Sequence, residues 1–554
     1  MTINEPRLPQ MQPDTSSGQA GRDGEQSPHG AGVDGRGHAS DARHNAGGSR
    51  DPAWWLREIL TARVYDVARH TPLDAAPLLS RRLDNSVWLK REDLQPVFSF
   101  KLRGAYNRLT KLDADERGRG VVAVSAGNHA QGVAFGAREL GIDAVIVMPV
   151  TTPRIKTAAV AAYGARIELI GDSYSEAAAF GQALAIKEQR VLIHPFDDAA
   201  VIAGQGTVAL ELLADHKGRL DAVFVPVGGG GLCAGIAVYL KTLDPSIRIV
   251  AVEPDDAACL EAAMHAGQPV ALDHVGLFVD GCAVRQIGDV TFEVLRGRVD
   301  DIVTVGVDQV CAAIRDVFEE TRSIVEPAGA LALAGMKKWV ADTGARRQNL
   351  AVVLSGANMN FDRLGHVTER AEIGEQHEAL FGVTIPEKAG SFFDFCRALG
   401  RRSITEFNYR TRGGAAAEVF VGVQLTGGQS ERTEIRDMLT GAGYVVADFT
   451  RNEVARLHVR HMVGGPRSGV AHERMLRFEF PERPGALLYF LETLGTTWDI
   501  TLFHYRNRGA AYGRVLAGFA VAPRQEPAFM ADVAKLGFWF ADESDNEALQ
   551  QFLS

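Results

Sequence analysis

Between Trp54 and about Arg370, short β-branched apolar runs alternate with segments long enough to be helices, and that alternation leaves few folds open. Val121–Val124 leads into Asn128–Leu140, and Ala144–Met148 leads into Lys156–Tyr163. Ile167–Ile170, Ala222–Val227, Ile249–Val252 and Leu350–Leu354 continue the series. Strands that are apolar throughout must be covered on both faces. The pattern therefore predicts an α/β class with parallel sheet between layers of helix. In such folds ligands gather beyond the carboxyl ends of the strands, in the loops that open the next helices.

Three sequence signatures fall at those ends. Ser125-Ala126-Gly127-Asn128-His129-Ala130-Gln131-Gly132 follows Val124, the run Gly228-Gly229-Gly230-Gly231-Leu232 follows Val227, and Ser355-Gly356-Ala357-Asn358 follows Leu354. A fourth, Ser99-Phe100-Lys101-Leu102-Arg103-Gly104, precedes them all. Each has a plainer explanation alone: Lys101 a solvated charge, Asn128 a helix cap in a tight turn, the glycines a linker, Ser355 another cap. Linkers, however, do not normally sit between a run such as Val223-Phe224-Val225-Pro226-Val227 and a helix. Glycines in that position let an anion approach the backbone closely. The dinucleotide glycine pattern fits poorly here, and no Walker lysine follows.

Together the four supply an amine, an amide, a phosphate cradle and a small hydroxyl, which are the groups that hold pyridoxal phosphate. Its aldehyde needs a lysine to form a Schiff base, and its phosphate needs N–H groups free of side chains. The amine must stay partly unprotonated, which desolvation and a nearby cation both promote, and Arg103 is the cation in reach of the sequence. Asn128 would orient the cofactor through a ring oxygen. Ser355, facing the ring nitrogen, would leave a weaker electron sink than a carboxylate. Rapid expulsion of a β-substituent tolerates that.

The segment after about Glu378 repeats itself. Phe381–Gly390 is echoed by Leu476–Gly485, and Ile404–Arg410 by Ile500–Arg506, while one common spacing separates Tyr409 from Tyr505 and Gly422 from Gly518. Each unit reads strand, helix, strand, strand, helix, strand, a ferredoxin-like βαββαβ module. Residues 1–50 hold no Phe, Trp or Tyr and predict a disordered tail. A net charge of −10 argues against a nucleic-acid surface. Five scattered cysteines without a C-x-x-C pair argue against disulfides and structural zinc. No apolar run is long enough to span a bilayer, and there is no secretory or transit signal, so a cytoplasmic location is expected, with neither membrane nor nucleic acid as partner.

From about Trp54 to Ser554 the chain resembles the biosynthetic threonine dehydratases (threonine ammonia-lyases), pyridoxal-phosphate enzymes of the tryptophan-synthase-β fold type. Lys90–Gln95 and Glu326–Ala330 also match that family's pattern. The resemblance implies a two-lobed catalytic domain over 52–370 and ACT-like regulatory modules over 377–450 and 472–554. It also implies that Lys101 is the catalytic, cofactor-bearing lysine, that Asn128 meets the ring oxygen, that Gly228, Gly229, Gly230, Gly231 and Leu232 wrap the phosphate, and that Ser355 meets the ring nitrogen. L-threonine as substrate, isoleucine as feedback inhibitor, and a homotetramer follow from the same resemblance, with no metal. The leader before residue 51 is its one departure. A serine-preferring dehydratase of the same fold and a non-catalytic amino-acid sensor remain open alternatives, since a single methyl is worth only ~1–3 kcal/mol in a pocket.

Overall fold

The computed structural model describes residues 51–374, 378–386, 404–410, 416–461, 472–481, 498–506 and 512–552, with a few isolated positions between them. The expected N-terminal tail and the first helix of each C-terminal repeat lie outside these residues, apart from isolated positions in the helices. No helix among the described residues is long and apolar enough to cross a membrane.

The catalytic region carries β1 (Leu73–Ala75), β2 (Ser86–Arg91), β3 (Val121–Val124), β4 (Ala144–Met148), β5 (Arg166–Leu169), β6 (Val191–Leu192), β7 (Ala222–Pro226), β8 (Arg248–Pro254), β9 (Asp301–Val305) and β10 (Asn349–Leu354). They form two sheets. The larger has the order β1-β2-β10-β7-β8-β9 and is parallel except at β1, while the smaller, β5-β4-β3-β6, is wholly parallel. Every residue of β3, β4 and β7 is buried, as continuous Val/Ile/Ala runs require. The two lobes of the expected fold are these two sheets with their helices.

Three helices run between the lobes and fix the site. They span Lys101–Thr110, Ala199–Asp215 and Gly231–Leu243. Their contacts are backbone to backbone. A Cβ on Gly204 would lie 2.7 Å from both Arg103 O and Gly104 Cα, and one on Gly235 would lie 2.5 Å from Ile202 O. Asp198 caps the middle helix, its carboxylate accepting from the N–H groups of Ala200 at 2.7 Å and Val201 at 3.0 Å. The same carboxylate takes the Arg108 guanidinium at 3.0 Å, tying the first helix to the second.

The C-terminal repeats are two antiparallel sheets. The first comprises β11 (Glu378–Pro386), β12 (Ile404–Arg410), β13 (Ala416–Gln424) and β14 (Val445–Asp448) in the order β12-β13-β11-β14. The second comprises β15 (Glu473–Pro481), β16 (Asp499–Arg506), β17 (Tyr512–Ala520) and β18 (Trp539–Asp542) in the order β16-β17-β15-β18. This is the ferredoxin-like order, and each unit also has its second helix, Gly428–Gly441 or Glu526–Lys535. Even an irregularity repeats, with register shifts at Ile404/Glu406 and Ile500/Leu502. Leu380, Phe420, Phe449, Met475, Leu516 and Phe552 form a core shared by both units. Asn452 Nδ2 donates to Oδ1 of Asn546, its equivalent in the repeat, at 3.2 Å.

Candidate active site

Lys101 opens its helix, and Ser99 Oγ accepts from its backbone N–H at 3.2 Å. Its Nζ donates to Pro195 O at 3.0 Å. The residue is half-buried, yet its surroundings strip enough water from the amine to pull it from 10.5 down to about 8. Cys282 and Glu326 oppose that pull. Arg103 does not contribute in the way the sequence implied. Its guanidinium is fully buried between Glu92 at 2.7 Å and Glu211 at 2.6 Å, in a network that also holds Lys90. Desolvation is the influence that lowers the Lys101 amine.

The flank of Lys101 is sewn to the loop that follows β10. Phe100 N–H donates to Ser355 O at 3.2 Å and Ala357 N–H to Phe98 O at 2.8 Å, with Phe98 held at φ 55°. Asn358 Nδ2 donates both to Val97 O at 2.8 Å and to Asn128 Oδ1 at 2.7 Å. Ser355 caps no helix; its buried hydroxyl donates to Ala328 O at 3.0 Å. Asn128 is not a cap either. Gly127 holds the cap position of helix Asn128–Leu140, and the Asn128 amide donates to Glu326 Oε1 at 2.5 Å. Lys101, Asn128 and Ser355, far apart in sequence, thus share one hydrogen-bonded frame. His129 beside them is buried and driven down to about 3 by desolvation and by Lys101, so it is neutral. Its Nε2 pairs with Ile193 O, and its Nδ1 has no partner among the described residues.

The glycine run ends β7 and opens helix Gly231–Leu243, with Gly230 at φ 90°. Its walls are tight. A Cβ on Gly228 would lie 2.9 Å from Cys282 Cα, and one on Gly229 would lie 2.2 Å from the Phe196 ring. Among the described residues nothing accepts from the N–H groups of Gly228, Gly229 and Gly230, although Gly229 and Gly230 are buried. Buried donors without acceptors call for a ligand, and three in a row at a helix start suit a phosphate. Leu232 lies buried in the first turn of that helix. The residues present therefore fit pyridoxal phosphate.

Sequence reading gave no role to Glu326 or Cys282. Glu326 is buried, and desolvation together with Asp280 raises its carboxyl to about 7. Cys282 is a buried thiol pushed well above its usual range. The match of Glu326–Ala330 to a family pattern was the available signal for the first. Cys282 had none.

A family model described as "Pyridoxal-phosphate dependent enzyme" matches residues 64–356. A second, "C-terminal regulatory domain of Threonine dehydratase", matches 369–459 and 464–553. The biosynthetic L-threonine dehydratase of Escherichia coli (strain K12) is 52% identical over 507 residues, covering 92% of this chain and 98% of that protein. The mitochondrial threonine dehydratase of Saccharomyces cerevisiae is 47% identical over 513 residues, covering 90% and 89%. Among solved structures, the processed threonine deaminase isoform 2 of Solanum lycopersicum is 45% identical with a TM-score of 0.57, covering 59% of this chain and 94% of that one. Fold and site define a pyridoxal-phosphate enzyme of α/β architecture. Within that class the chain belongs to the biosynthetic threonine dehydratase family, lyases that deaminate L-threonine.

Proposed function

We propose that Lys101 carries the cofactor and serves as the base, that Gly228–Leu232 hold its phosphate, that Asn128 orients its ring oxygen and that Ser355 meets its ring nitrogen. The single observation that carries this is a desolvated amine beside the Asn128–Ser355 frame, together with a run of buried glycine N–H groups without acceptors. Bound there, pyridoxal phosphate supplies an aldehyde to hold the substrate amine and a ring to draw electrons from Cα. The Lys101 amine, once displaced by the substrate amine, takes the Cα proton of threonine. The β-hydroxyl then leaves as water with a proton returned by the Lys101 ammonium just formed, and hydrolysis of the product enamine consumes one water to give 2-oxobutanoate and ammonia. Glu326 keeps the Asn128 amide in place, and a neutral His129 adds no charge beside the amine. Borohydride reduction of the loaded protein should leave a mass adduct on Lys101 and none on Lys101→Ala; an unmodified wild-type Lys101 refutes the assignment.

The C-terminal modules, taken as 377–450 and 472–554, are proposed to bind isoleucine and lower turnover of a 52–370 catalytic domain in a cytoplasmic homotetramer. A chain of ion pairs supports such coupling. Asp308, in the first turn of helix Val307–Thr321, binds Arg370 at 3.2 Å and also Arg456, which lies in the helix Glu453–Leu457 that follows the first module. Glu453 of that connecting helix faces Arg477 of the second module at 3.6 Å, and Arg477 holds Glu543 at 2.9 Å. Assaying 2-oxo-acid formation from threonine with and without isoleucine tests this, and an indifferent enzyme overturns the regulatory reading.

A further inference from the structure

The segment His194-Pro195-Phe196-Asp197-Asp198 touches both the Lys101 amine and the glycine run without belonging to any of the four signatures. Pro195 O takes the Lys101 amine, Phe196 packs against Gly229 and Gly231, and Asp198 binds the helix that Lys101 opens. The His194 ring fixes the turn, its Nδ1 accepting from Asp197 N–H at 2.7 Å. Asp197 then reaches across to residues nearly a hundred positions away. Its carboxylate accepts from the N–H groups of Asp289 at 3.1 Å, Val290 at 2.8 Å and Thr291 at 3.2 Å, capping helix Asp289–Leu295. That helix delivers the fully buried Thr291 to the glycine run. The Thr291 hydroxyl donates to Gly229 O at 2.8 Å, with Gly288 O also in reach at 3.0 Å. A Cβ on Gly230 would lie 3.0 Å from Thr291 Cβ.

We infer that Asp197 and Thr291 are positioning residues for the phosphate end of the cofactor. They clamp the Gly229 peptide from behind, so that the neighbouring N–H groups point toward the ligand. The physical reason is that glycine peptides flip easily, and a peptide with its carbonyl held by Thr291 cannot rotate its flanking N–H groups away. Because Asp197 lies two residues from Pro195, one short segment sets the spacing between the amine that holds the aldehyde and the amides that hold the phosphate. The inference rests on the reading of Gly228–Leu232 as the phosphate site.

The test is to strip the full-length chain of cofactor and titrate it with pyridoxal phosphate and, separately, with pyridoxal, which lacks the phosphate. Thr291→Val should weaken pyridoxal phosphate by roughly three- to tenfold, the worth of one buried hydrogen bond, and leave pyridoxal unchanged. Thr291→Ser should restore the wild-type ratio, which a purely structural role for the methyl would not allow. Asp197→Asn, which keeps one acceptor oxygen, should shift the same ratio in the same direction and provides the measurement if Thr291→Val does not fold. Equal weakening of both ligands, or none of either, overturns the inference. If the wild type itself binds pyridoxal as tightly as pyridoxal phosphate, the phosphate reading of the glycine run fails too. Discrimination that is present in the wild type and survives in Thr291→Val sinks only the positioning role.

Discussion

Lys101 should titrate near 8 rather than at the ordinary lysine value of 10.5 in the cofactor-free chain. That displacement corresponds to about 3 kcal/mol by which desolvation disfavours the ammonium. At pH 7.5 it raises the neutral fraction from about 0.1% to roughly a quarter, a gain of some ~200-fold in reactive amine. Reductive methylation, read on the Lys101 peptide by mass spectrometry across pH 6 to 11, reports the neutral fraction directly, with the exposed lysines as internal reference. The Lys101 rate should climb about tenfold per pH unit and level off above 8, while the reference lysines continue to climb. Glu326 works against the shift, so Glu326→Gln should move the midpoint further down. A Lys101 rate still rising at pH 10 refutes the argument from burial, and an upward move in Glu326→Gln refutes the placement of that carboxylate.

Gly104→Ala would put a Cβ 2.6 Å from Val201 O, a backbone atom that cannot swing aside, and should cost ~1–3 kcal/mol, read as a lower thermal midpoint. Arg103→Met leaves Glu92 and Glu211 facing each other without their shared cation, and about 3–5 kcal/mol should be lost in urea unfolding. Burial raises the Glu211 carboxyl, but Arg103 and Lys90 outweigh it and hold the group below its ordinary value of 4.5. The stability Arg103 contributes is therefore present above that value and lost as pH falls below it. The deficit of the variant should shrink as pH falls below 4.5, and a pH-independent deficit would contradict the reasoning. Asp308→Asn should raise the isoleucine concentration for half-inhibition about fivefold, with turnover in its absence little changed. Unaltered inhibition would remove the ion-pair chain from the coupling route.

The strands that could be read from sequence are those buried on both faces. Val121–Val124, Ala144–Met148 and Leu350–Leu354 are apolar throughout, and the structure extends or trims such runs by a residue or so. Ser86–Arg91 gave no such signal, although it lies inside the larger sheet, because Lys90 and Arg91 are buried there as ion pairs, with Glu211 at 2.7 Å and Asp93 at 2.8 Å. Pairing makes burial of charge tolerable and erases the hydrophobic pattern. The short Val191–Leu192 escaped for want of length, and Asp301–Val305, as long as Ala144–Met148, because Asp301 and Thr304 interrupt its apolar run. At the site, Lys101, Asn128, the glycines and Ser355 were legible because each sits in a local backbone setting that its own neighbours betray. Asp197, Thr291 and Glu326 act on groups far along the chain, and nothing beside them in sequence shows that partnership. Arg103 illustrates the opposite error, since closeness in sequence to Lys101 placed it near the amine while the helix turned it into the interior.

The glycine contacts between the three central helices carry one more consequence. Where Gly104 meets Gly204 and Gly206 meets Gly235, no side chain stands between the main chains, so the gap between Lys101 and the Gly228–Gly231 run is a ruler cut in peptide units. Substitution cannot retune a ruler of that kind by degrees; it breaks it. The Asn128 side-chain amide, by contrast, is held among the described residues through the side-chain ends of Glu326 and Asn358. Moving that amide asks only for new rotamers in two side chains, whereas spreading the glycine contacts asks main chains to part.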